Sequence, residues 1–447
     1  MLTKAAPVQG GTPVAAPPGA SQAVSAAALR PAPGVEGALS SPLQSVLRQI
    51  TYPLTKPLDS VSNALLASGG TLTIKLANAA LALGVEVVLV SQQVLSLAAS
   101  TAAGSNGGGV RANSRFPYSI VPNVSFEINS QNKVLNASLW MLFQDSLYSV
   151  LAGVDPRQQK ALAVSTTPVA DTWPVATYST TLTPSGGASQ TFAPGDTYYN
   201  TTTEPQTVTL NSTIAVFLPF VNNMTDFLGL VPSAAQNTQL TVALTVAPPT
   251  GDALAPLSFI SGADITGSSS VTSQTVTVLS EEYFLNSPPS GQEAAYALEA
   301  GTVVQRFEDS GIAIAGTGVN AAKYVAPQGA NLLRLIANVL LGGLPATSSI
   351  SGLQLTLSEF SDPWVFSDVR SYMAWHYRMY GRLPDPGIFV WDGTYTTEVP
   401  NSGDQLGWIN AAVVINPTLA ISLANGAPLG TNSNQMNVLR VQAVTTP

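Results

Sequence analysis

The stretch Gln239-Leu-Thr-Val-Ala-Leu-Thr-Val246 alternates polar and apolar side chains over its whole length. Successive side chains of a β-strand point to opposite faces, so this pattern predicts a strand with one buried and one open face. A similar alternation returns near the end of the chain, in Val438-Leu-Arg-Val-Gln-Ala-Val444. Each half of the sequence therefore closes on a strand of the same kind.

Outward from these two strands, both halves show the same order of elements. In the first half, the extended segments are Thr71–Leu76, Gly84–Val90, Ser119–Ile128, Gln206–Leu210 and Ile214–Leu218. In the second half, they are Ser273–Leu279, Gly311–Ala315, Asn331–Leu341, Leu353–Leu357, Ile388–Trp391 and Ala411–Ile415. A repeated order of elements indicates a duplicated architecture, and many short strands between Gly/Pro turns are typical of sandwiches and barrels.

One helix is predicted within each half. The first covers Ala137–Leu151, with Asn136 as its N-cap and Gly153 as its stop. The second begins at Asp362-Pro363 and ends at Tyr380-Gly381, because proline suits the first turn of a helix and glycine its C-terminal end.

The chain has 447 residues, which is too long for one ordinary core and suits two domains of about 200 residues each. The predicted fold is all-β, with two tandem eight-stranded jelly rolls, each with a flanking α-helix, and an extended N-terminal arm. The predicted bounds are 1–54 for the arm and a short amphipathic helix, 55–249 for the first roll, 250–269 for a linker and 270–447 for the second roll.

The composition argues against several classes of function. Nucleic-acid binding normally requires a basic face, and the net charge of −8 argues against one. No direct nucleic-acid contact is therefore expected. The chain has no cysteine and one histidine, which excludes disulfides, thiolate metal sites and a zinc site with several histidine ligands. We expect no cofactor and no metal. Charged residues make up only 9% of the chain, which indicates a surface that is either neutral and polar or covered by partners.

The N-terminal region differs from the rest of the chain. Alanine, proline, glycine and serine dominate from Ala5 to Ser41, which predicts an extended arm. The segment Pro42–Ile50 then has the spacing of a short helix, and one face of that helix carries Leu43, Val46, Leu47 and Ile50. The apolar segment Leu76–Val90 is interrupted by Glu86 and is too short to span a membrane as a helix, so a pair of buried strands is the better interpretation.

The residues that could carry catalysis all have simpler interpretations. His376 lies in an aromatic helix, where Tyr372, Trp375 and Met379 share a face, and we expect it at the edge of that helix with no chemical role. The pairs Asp368/Arg370 and Asp362/Glu359 are explained by helix capping and solvation. Asp392-Gly393 is typical of a turn, and Gly104–Gly109 of a flexible loop, because it lacks the lysine of a phosphate-binding loop.

Several segments, in their order along the chain, resemble the double jelly-roll major capsid proteins of tectiviruses, which are tailless icosahedral bacteriophages with an internal membrane. In the first half these are Pro122–Ile128 with the helix after it, Leu218-Pro-Phe220, Asp226–Gly229 and Asn237–Val246. In the second half they are Pro327-Gln-Gly329, Leu333-Arg-Leu335, Gly381–Gly387 and Trp391-Asp392. The resemblance covers about Leu72 to the C-terminus, and the long Ala/Pro arm departs from the smaller members.

This resemblance implies a structural protein of the virion, made in the host cytoplasm, and not an enzyme. It implies a homotrimer whose six rolls form a pseudo-hexagonal capsomer. The implied partners are neighbouring capsomers, penton or minor capsid proteins and an internal viral membrane. The stripe of Leu43, Val46, Leu47 and Ile50 then has two interpretations, which are contact with the membrane or a neighbouring capsomer, and packing against its own roll.

Two other classes of function compete with a shell protein. A receptor-binding spike or penton-type protein is also rich in strands, but it predicts one jelly roll and a repetitive stalk. A carbohydrate-binding protein or carbohydrate-active enzyme on a jelly roll is the second rival. A glycosidase needs two carboxylates a few ångströms apart, and the sparse acidic residues suggest no such pair.

Overall fold

A computed structural model describes residues 54–57, 70–76, 81–129, 132–149, 178–222, 229, 231–232, 239–250, 255–285, 302–357, 360–393, 409, 416–427, 429–430 and 434–445. The strands of its first half are β1 (Leu54–Pro57), β2 (Gly70–Lys75), β3 (Leu81–Leu97), β4 (Ala99–Ser100), β5 (Gly108–Ala112), β6 (Asn123–Ile128), β7 (Asn132–Ala137), β8 (Tyr178–Pro184), β9 (Gln190–Thr191), β10 (Thr197–Tyr199), β11 (Gln206–Pro219), β12 (Val231–Pro232) and β13 (Leu240–Val246).

The remaining strands are β14 (Leu257–Ser261), β15 (Ile265–Thr266), β16 (Ser270–Leu285), β17 (Thr302–Ala313), β18 (Gly318–Val325), β19 (Asn331–Leu341), β20 (Leu344–Pro345), β21 (Ile350–Leu357), β22 (Phe360–Phe366), β23 (Ile388–Asp392), β24 (Thr418–Leu423) and β25 (Gln435–Thr445). The helices among the described residues are α1 (Leu139–Ser149), α2 (Val369–Tyr380) and a 3-10 turn at Tyr118–Ile120. The predicted strand at 411–415 lies outside the described residues.

Two layers of sheet enclose the core of the first half. One sheet has the order β1-β16-β3-β11-β8-β9, with β12 beside β3, and the opposite layer contains β2-β13-β6-β7. Alternate residues of β3 and β13, such as Val87 and Val242, fill the space between the layers. Phe126 and Phe220 stack there with ring centroids 4.0 Å apart. The alternation in 239–246 thus buries one face of β13, as predicted.

The second half is a similar pair of sheets. Strands β17, β25, β19 and β23 are hydrogen-bonded in that order, and they face a sheet of order β18-β24-β21-β22. Leu335, Leu355 and Ile421 belong to the core between these sheets. Strand β7 also pairs in parallel with β17, through Leu135 opposite Arg306, so one continuous sheet runs through both halves.

Strand β19 is buried on both faces. Its Leu335 and Ala337 belong to the second core, whereas Leu333 and Ile336 belong to the first. This double burial explains why the sequence from 331 to 341 is almost continuously apolar instead of alternating. The sheet that contains β19 therefore serves as a wall shared by the two halves.

Strand β16 differs from the predicted division of the chain. The predicted second roll begins at residue 270, but β16 (Ser270–Leu285) pairs along its length with β3 of the first roll. An antiparallel neighbour satisfies the backbone groups of β3 that would otherwise form an open edge. The pairing thus extends the first sheet beyond the predicted linker at 250–269, and the domain bounds themselves stay a prediction.

The predicted starts of both helices are wrong. Asp362-Pro363 lies within β22, where Trp364 pairs with Leu355, and α2 begins only at Val369 with Asp368 as its N-cap. Proline disfavours helical backbone at the residue before it, so Asp362-Pro363 also suits an extended segment. The predicted end is confirmed, because Gly381 caps α2 with φ of 67°.

For α1, Asn136 is not the N-cap, because it lies in β7. Ser138 follows it at the entrance to the helix, and its carbonyl oxygen accepts a hydrogen bond from the Leu142 amide at 3.1 Å. Gly153, the predicted stop, lies outside the described residues.

The glycine segment 104–109 is a loop only in its first part. Gly108 and Gly109 open strand β5, and Gly107 and Gly108 are buried. A Cβ atom on Gly107 would lie 2.8 Å from the backbone nitrogen of Ser100. Glycine is needed here because two backbone segments approach closely, and not because the loop is flexible.

The long strands β3, β11 and β16 continue past the first core into a further apolar cluster of the first half. A polar layer crosses them, in which Ser91 and Ser212 share a hydrogen bond of 2.5 Å and Gln93 donates to Gln274 at 2.8 Å. Beyond it lies a separate apolar cluster, which we call the distal core, formed by Leu95, Leu97, Val110, Ala112, Phe116, Leu182, Phe192, Val208, Leu210 and Leu257. The polar layer thus separates two apolar clusters on the same strands.

Candidate functional site

Helix α1 lies at the junction of the two halves and is buried on all sides. Every residue from Leu139 to Ser149 is buried. Its apolar residues Trp140 and Phe143 pack with Tyr118, whose ring is stacked 4.1 Å from that of Phe143. A helix that is buried all round must find partners for each of its polar side chains. In α1, most of those partners come from the second half of the chain.

A chain of buried charges joins the middle of α1 to the second half. The Asp145 carboxylate accepts a hydrogen bond from Arg306 Nε of β17 at 2.7 Å and another from Arg334 Nη1 of β19. Arg334 Nε lies 3.0 Å from the carboxylate of Asp392, which stands opposite it on β23. Arg306 also donates to the carbonyl oxygens of Pro219 and Val221, at 2.9 and 2.8 Å. These two arginines and two aspartates are called the ion chain below.

The charges of the ion chain are balanced and withdrawn from water. The four side chains are at most 1% exposed. Burial alone would raise the pKa of Asp145, but the nearby Arg306 and Arg334 guanidinium groups hold it below its usual range. Burial opposes the charge of Arg334 as well, and Asp392 and Asp145 together keep its pKa raised. Asp145 and Arg334 are therefore both charged at neutral pH.

The N-terminal end of α1 is also held by the second half. Glu308 of β17 accepts a hydrogen bond from the backbone amide of Ser138 at 2.7 Å. A carboxylate at this end of a helix satisfies an amide that has no partner within the helix and interacts favourably with the helix dipole. Burial raises the pKa of Glu308, and the hydrogen bond from Ser138 partly offsets this effect. Val304, Arg306 and Glu308 alternate along β17, so one face of this strand is turned to the first half.

The C-terminal end of α1 contacts helix α2 and the segment after it. Tyr148 makes a 3.0 Å hydrogen bond to His376 Nε2, while His376 Nδ1 lies 2.8 Å from the carbonyl oxygen of Arg382. The carbonyl can only accept, so Nδ1 carries the proton and the Tyr148 hydroxyl donates to Nε2. Burial lowers the pKa of His376 to about 4, so the ring is neutral at pH 7.

The position of His376 corrects the sequence-based expectation. We expected it at the edge of the aromatic helix, but it is 0% exposed and bridges the two halves. Tyr372, one turn earlier, is also fully buried, and its hydroxyl accepts a hydrogen bond from the Val390 amide at 2.7 Å. Trp375 is half-buried against the second core. The buried stripe of α2 is therefore Tyr372 and His376, and it is not centred on Tyr372, Trp375 and Met379.

Two of the remaining acidic residues considered for catalysis lie at the start of α2 and at the end of β23. Asp368 accepts a hydrogen bond from the Arg370 amide, which confirms its capping role, and its bonds to Arg370 lower its pKa to about 2. Asp392 is not a simple turn residue, because it ends β23 and belongs to the ion chain. Glu359 and the side chain of Asp362 lie outside the described residues. So do the predicted contact residues Leu43, Val46, Leu47 and Ile50.

Sequence reasoning missed the ion chain, although a signal for it exists. Asp145 is the one charged residue among the eleven of α1, and Arg334 is the one charged residue in β19. A charge inside an otherwise apolar element is rarely buried without a partner of opposite charge. Two such charges of opposite sign predict a pair, but nothing in the sequence identifies which residues meet.

No helix in the described ranges is long and apolar enough to cross a membrane. Within the same ranges, no group of three or more histidine, aspartate or glutamate residues is placed to hold a metal ion.

The chain forms two rolls of facing sheets, each with one helix, and one sheet continues through both rolls. This architecture is a double jelly roll. Among solved structures, the chain is similar to the major capsid protein of Sulfolobus turreted icosahedral virus. That match has 11% identity and a TM-score of 0.54, and it covers 88% of this chain and 97% of that chain. A chain in the atomic structure of the same virus matches at 11% identity and a TM-score of 0.50, with 88% and 91% covered. Neither a protein-family model nor a curated protein sequence matches the chain.

Proposed function

We propose that this protein is a structural major capsid protein that assembles into the shell of an icosahedral virion. The observation that carries the proposal is the double jelly roll, which is shared over 97% of the length of a viral major capsid protein. A fold by itself does not determine function, so the proposal needs support from the site. At the site, the polar groups described in the junction serve to join two rolls rigidly, which is what a building block requires.

In this proposal the soluble unit is a homotrimer. Three chains with two similar rolls each present six similar corners, which is the outline of a pseudo-hexagonal capsomer. Light scattering or native mass spectrometry of the purified protein tests this directly. We expect a mass three times that of the chain at micromolar concentration, and a stable monomer would contradict the proposal.

The proposed virus is tectivirus-like, with a membrane beneath the shell. The partners are then neighbouring capsomers, penton or minor capsid proteins and the internal membrane, and the location is the virion. Residues 1–41 are proposed to lie along neighbouring capsomers or between shell and membrane, since their few charges cost little to desolvate. Deletion of residues 2–40 is then expected to leave trimers intact and to impair shell assembly. Trimers that dissociate on this deletion, or shells that form normally without it, would each contradict this role.

The stripe of Leu43, Val46, Leu47 and Ile50 is proposed to contact either the membrane or a neighbouring capsomer. Flotation of the protein with liposomes of neutral and anionic lipids separates the two. Binding that is lost in a Leu47→Ser/Ile50→Ser variant supports the membrane, whereas trimers that assemble poorly without any liposome binding support a capsomer contact.

A structural role also predicts that the protein does no chemistry. His376, the one histidine of the chain, is occupied on both ring nitrogens by Tyr148 and the Arg382 carbonyl. A histidine held in this way stabilises the fold and is poorly placed to accept a substrate proton. Hydrolytic activity of the purified protein that disappears in His376→Gln, with the fold intact, would contradict the proposal.

Electron microscopy of purified particles would separate a shell protein from a spike.

A further inference from the structure

The two rolls are joined by apolar packing and by directional contacts, which include the pairing of β7 with β17, the hydrogen bonds at the two ends of α1 and the ion chain. The first core combines side chains of both halves, for example Val216 of β11 with Ile336 of β19. Such apolar packing is strong but non-directional, and it is compatible with small rotations of one roll on the other. The ion chain, in contrast, requires particular atoms to meet.

We propose that the ion chain Arg306–Asp145–Arg334–Asp392 sets the angle between the two rolls. This inference rests on the proposed function, because the angle between rolls determines the outline that a capsomer presents to its neighbours. The four residues are thus positioning residues for assembly. They fix a geometry and do not themselves contact another subunit.

The arrangement of donors and acceptors supports this role. Asp145 is the single anion between two arginines that come from β17 and β19, which are separated by β25 in the same sheet. Neighbouring strands lie about 4.8 Å apart, so the two arginines approach the carboxylate from well-separated points. One carboxylate on α1 therefore meets two guanidinium groups whose spacing is set by the sheet of the second roll.

Arg306 adds a second constraint of the same kind. Its guanidinium group contacts three acceptors of the first half, namely Asp145 Oδ2 and the carbonyl oxygens of Pro219 and Val221. Because a guanidinium group is a planar and rigid fork, these three contacts define the direction of the side chain as well as its position. Rotation of one roll would leave buried charges and carbonyls without partners, which is costly, so alternative angles are disfavoured.

The test removes the Arg334 bridge without leaving an unbalanced buried charge. The double variant Arg334→Met/Asp392→Leu takes away one positive and one negative charge and leaves the pair of Arg306 and Asp145 intact. Replacement of a buried ion pair by apolar residues of similar size often preserves stability. The double variant is therefore expected to stay folded, whereas Arg334→Met alone removes the guanidinium partner of the buried Asp392 carboxylate.

The readout is the distance between the two rolls, measured on the soluble protein. The chain has no cysteine, so spin labels can be placed at Thr73→Cys on β2 of the first roll and Val319→Cys in the second, both of which are exposed. We expect the distance distribution from pulsed electron resonance to broaden roughly twofold in the double variant, because β19 then loses its directional tie to Asp145 of α1 and the apolar packing around it is non-directional. Arg370→Met, which breaks an exposed ion pair of α2, is the control and should leave the distribution unchanged.

A distribution in the double variant that keeps the width and centre of the parent would overturn the inference, even if the melting temperature fell. A broadened distribution with unchanged melting temperature supports it, because a purely stabilising ion chain would not produce that result. Since the distances are measured on unassembled protein, this outcome does not depend on shell formation. Failure of the unmodified protein to assemble would count against the proposed function and leave the distance result standing.

Discussion

The two helices occupy corresponding places in the repeated order of elements, yet their surroundings are opposite. All eleven residues of α1 are buried, whereas only Tyr372 and His376 are buried in α2. Helix α1 lies between the rolls, and α2 covers the second roll with one face while Arg370, Tyr377 and Arg378 face solvent. Equivalent positions in a duplicated fold therefore do not imply equivalent roles. The distribution of polar residues around each helix reports its role better than its place in the sequence.

The two helices also find their polar partners in different places. Helix α2 supplies its own cap, since Asp368 accepts from the amide of Arg370 two residues away. Helix α1 depends on residues more than a hundred positions later, with Glu308 at its start, the ion chain at its middle and His376 at its end. Local substitutions should thus affect α2 locally and α1 through the whole junction.

The largest expected effect comes from Asp145→Ala in α1. This change leaves Arg306 and Arg334 buried without their shared anion, and loss of one partner of a buried ion pair costs about 3–5 kcal/mol. Urea unfolding of the purified protein measures the loss in the free energy of unfolding. A loss no greater than that of Asp368→Ala would mean that the ion chain contributes no more than a surface cap.

The next effect is a pH dependence that originates in the contact between α1 and α2. The pKa of His376 is about 4 in the folded protein, whereas an unperturbed histidine has a pKa of 6.5. Between pH 4 and 6.5 the unfolded chain therefore binds a proton at His376 that the folded protein does not. Stability therefore falls as pH decreases from 6.5 to 4, by up to about 3 kcal/mol from this group alone. Urea titrations at pH 4.5 and 7 should show a smaller difference for His376→Gln than for the unmodified protein.

Glu308 acts in the opposite direction. Its raised pKa means that the folded protein binds the extra proton above pH 4.5, so this group lowers stability as pH rises through that range. Comparison of the unmodified protein with His376→Gln at each pH cancels this contribution. Equal acid sensitivity of the two proteins would show that His376 is not the group responsible.

A smaller effect distinguishes the two faces of α2. The Tyr372 hydroxyl is the acceptor for the buried amide of Val390, so Tyr372→Phe leaves that amide without this partner, at a cost of about 1–3 kcal/mol. Tyr377 on the same helix is 58% exposed, and Tyr377→Phe is the matched control with an expected change within about 0.5 kcal/mol. Thermal unfolding of both variants checks the difference. Similar losses would contradict the assigned buried face.

The smallest expected effect is at the start of α2. Asp368→Ala removes the cap and lowers helix stability, whereas Asp368→Asn keeps an oxygen that can accept from the Arg370 amide. We expect a slight loss for the first variant and less for the second, with assembly unchanged in both. Far-ultraviolet circular dichroism during heating measures this loss of stability. A loss comparable to that of Asp145→Ala would show that α2, too, depends on one anion.

The strands could be predicted from the sequence where one face or both faces are plainly apolar. The segments 239–246 and 331–341 match β13 and β19 to within one residue, because burial on one face produces alternation and burial on two produces an apolar run. The start of α2 could not be predicted in this way, since aspartate followed by proline suits both a helix start and an extended segment. Pairing with β21 decides between them.

The junction could not be predicted because it depends on contacts between distant residues. Arg306 lies in a segment with mixed polarity, and nothing local indicates that it meets Asp145, 161 positions away. The spacing of the aromatic residues in α2 fits an amphipathic helix whether His376 lies at the edge or at the centre of the buried face. The burial of His376 depends on the contacts with Tyr148, 228 positions earlier, and with the Arg382 carbonyl oxygen.

The polar layer of Ser91, Gln93, Ser212 and Gln274 has a consequence for how the protein could be modified. Hydrogen-bonded serine and glutamine side chains join the strands there and separate the two apolar clusters. The distal core beyond them is thus a self-contained module, and we expect its amides to exchange with deuterium as one unit, separately from the roll below. Peptide insertions at the far end of this module should be tolerated, which would make it a suitable place to display foreign epitopes without disturbing the rolls.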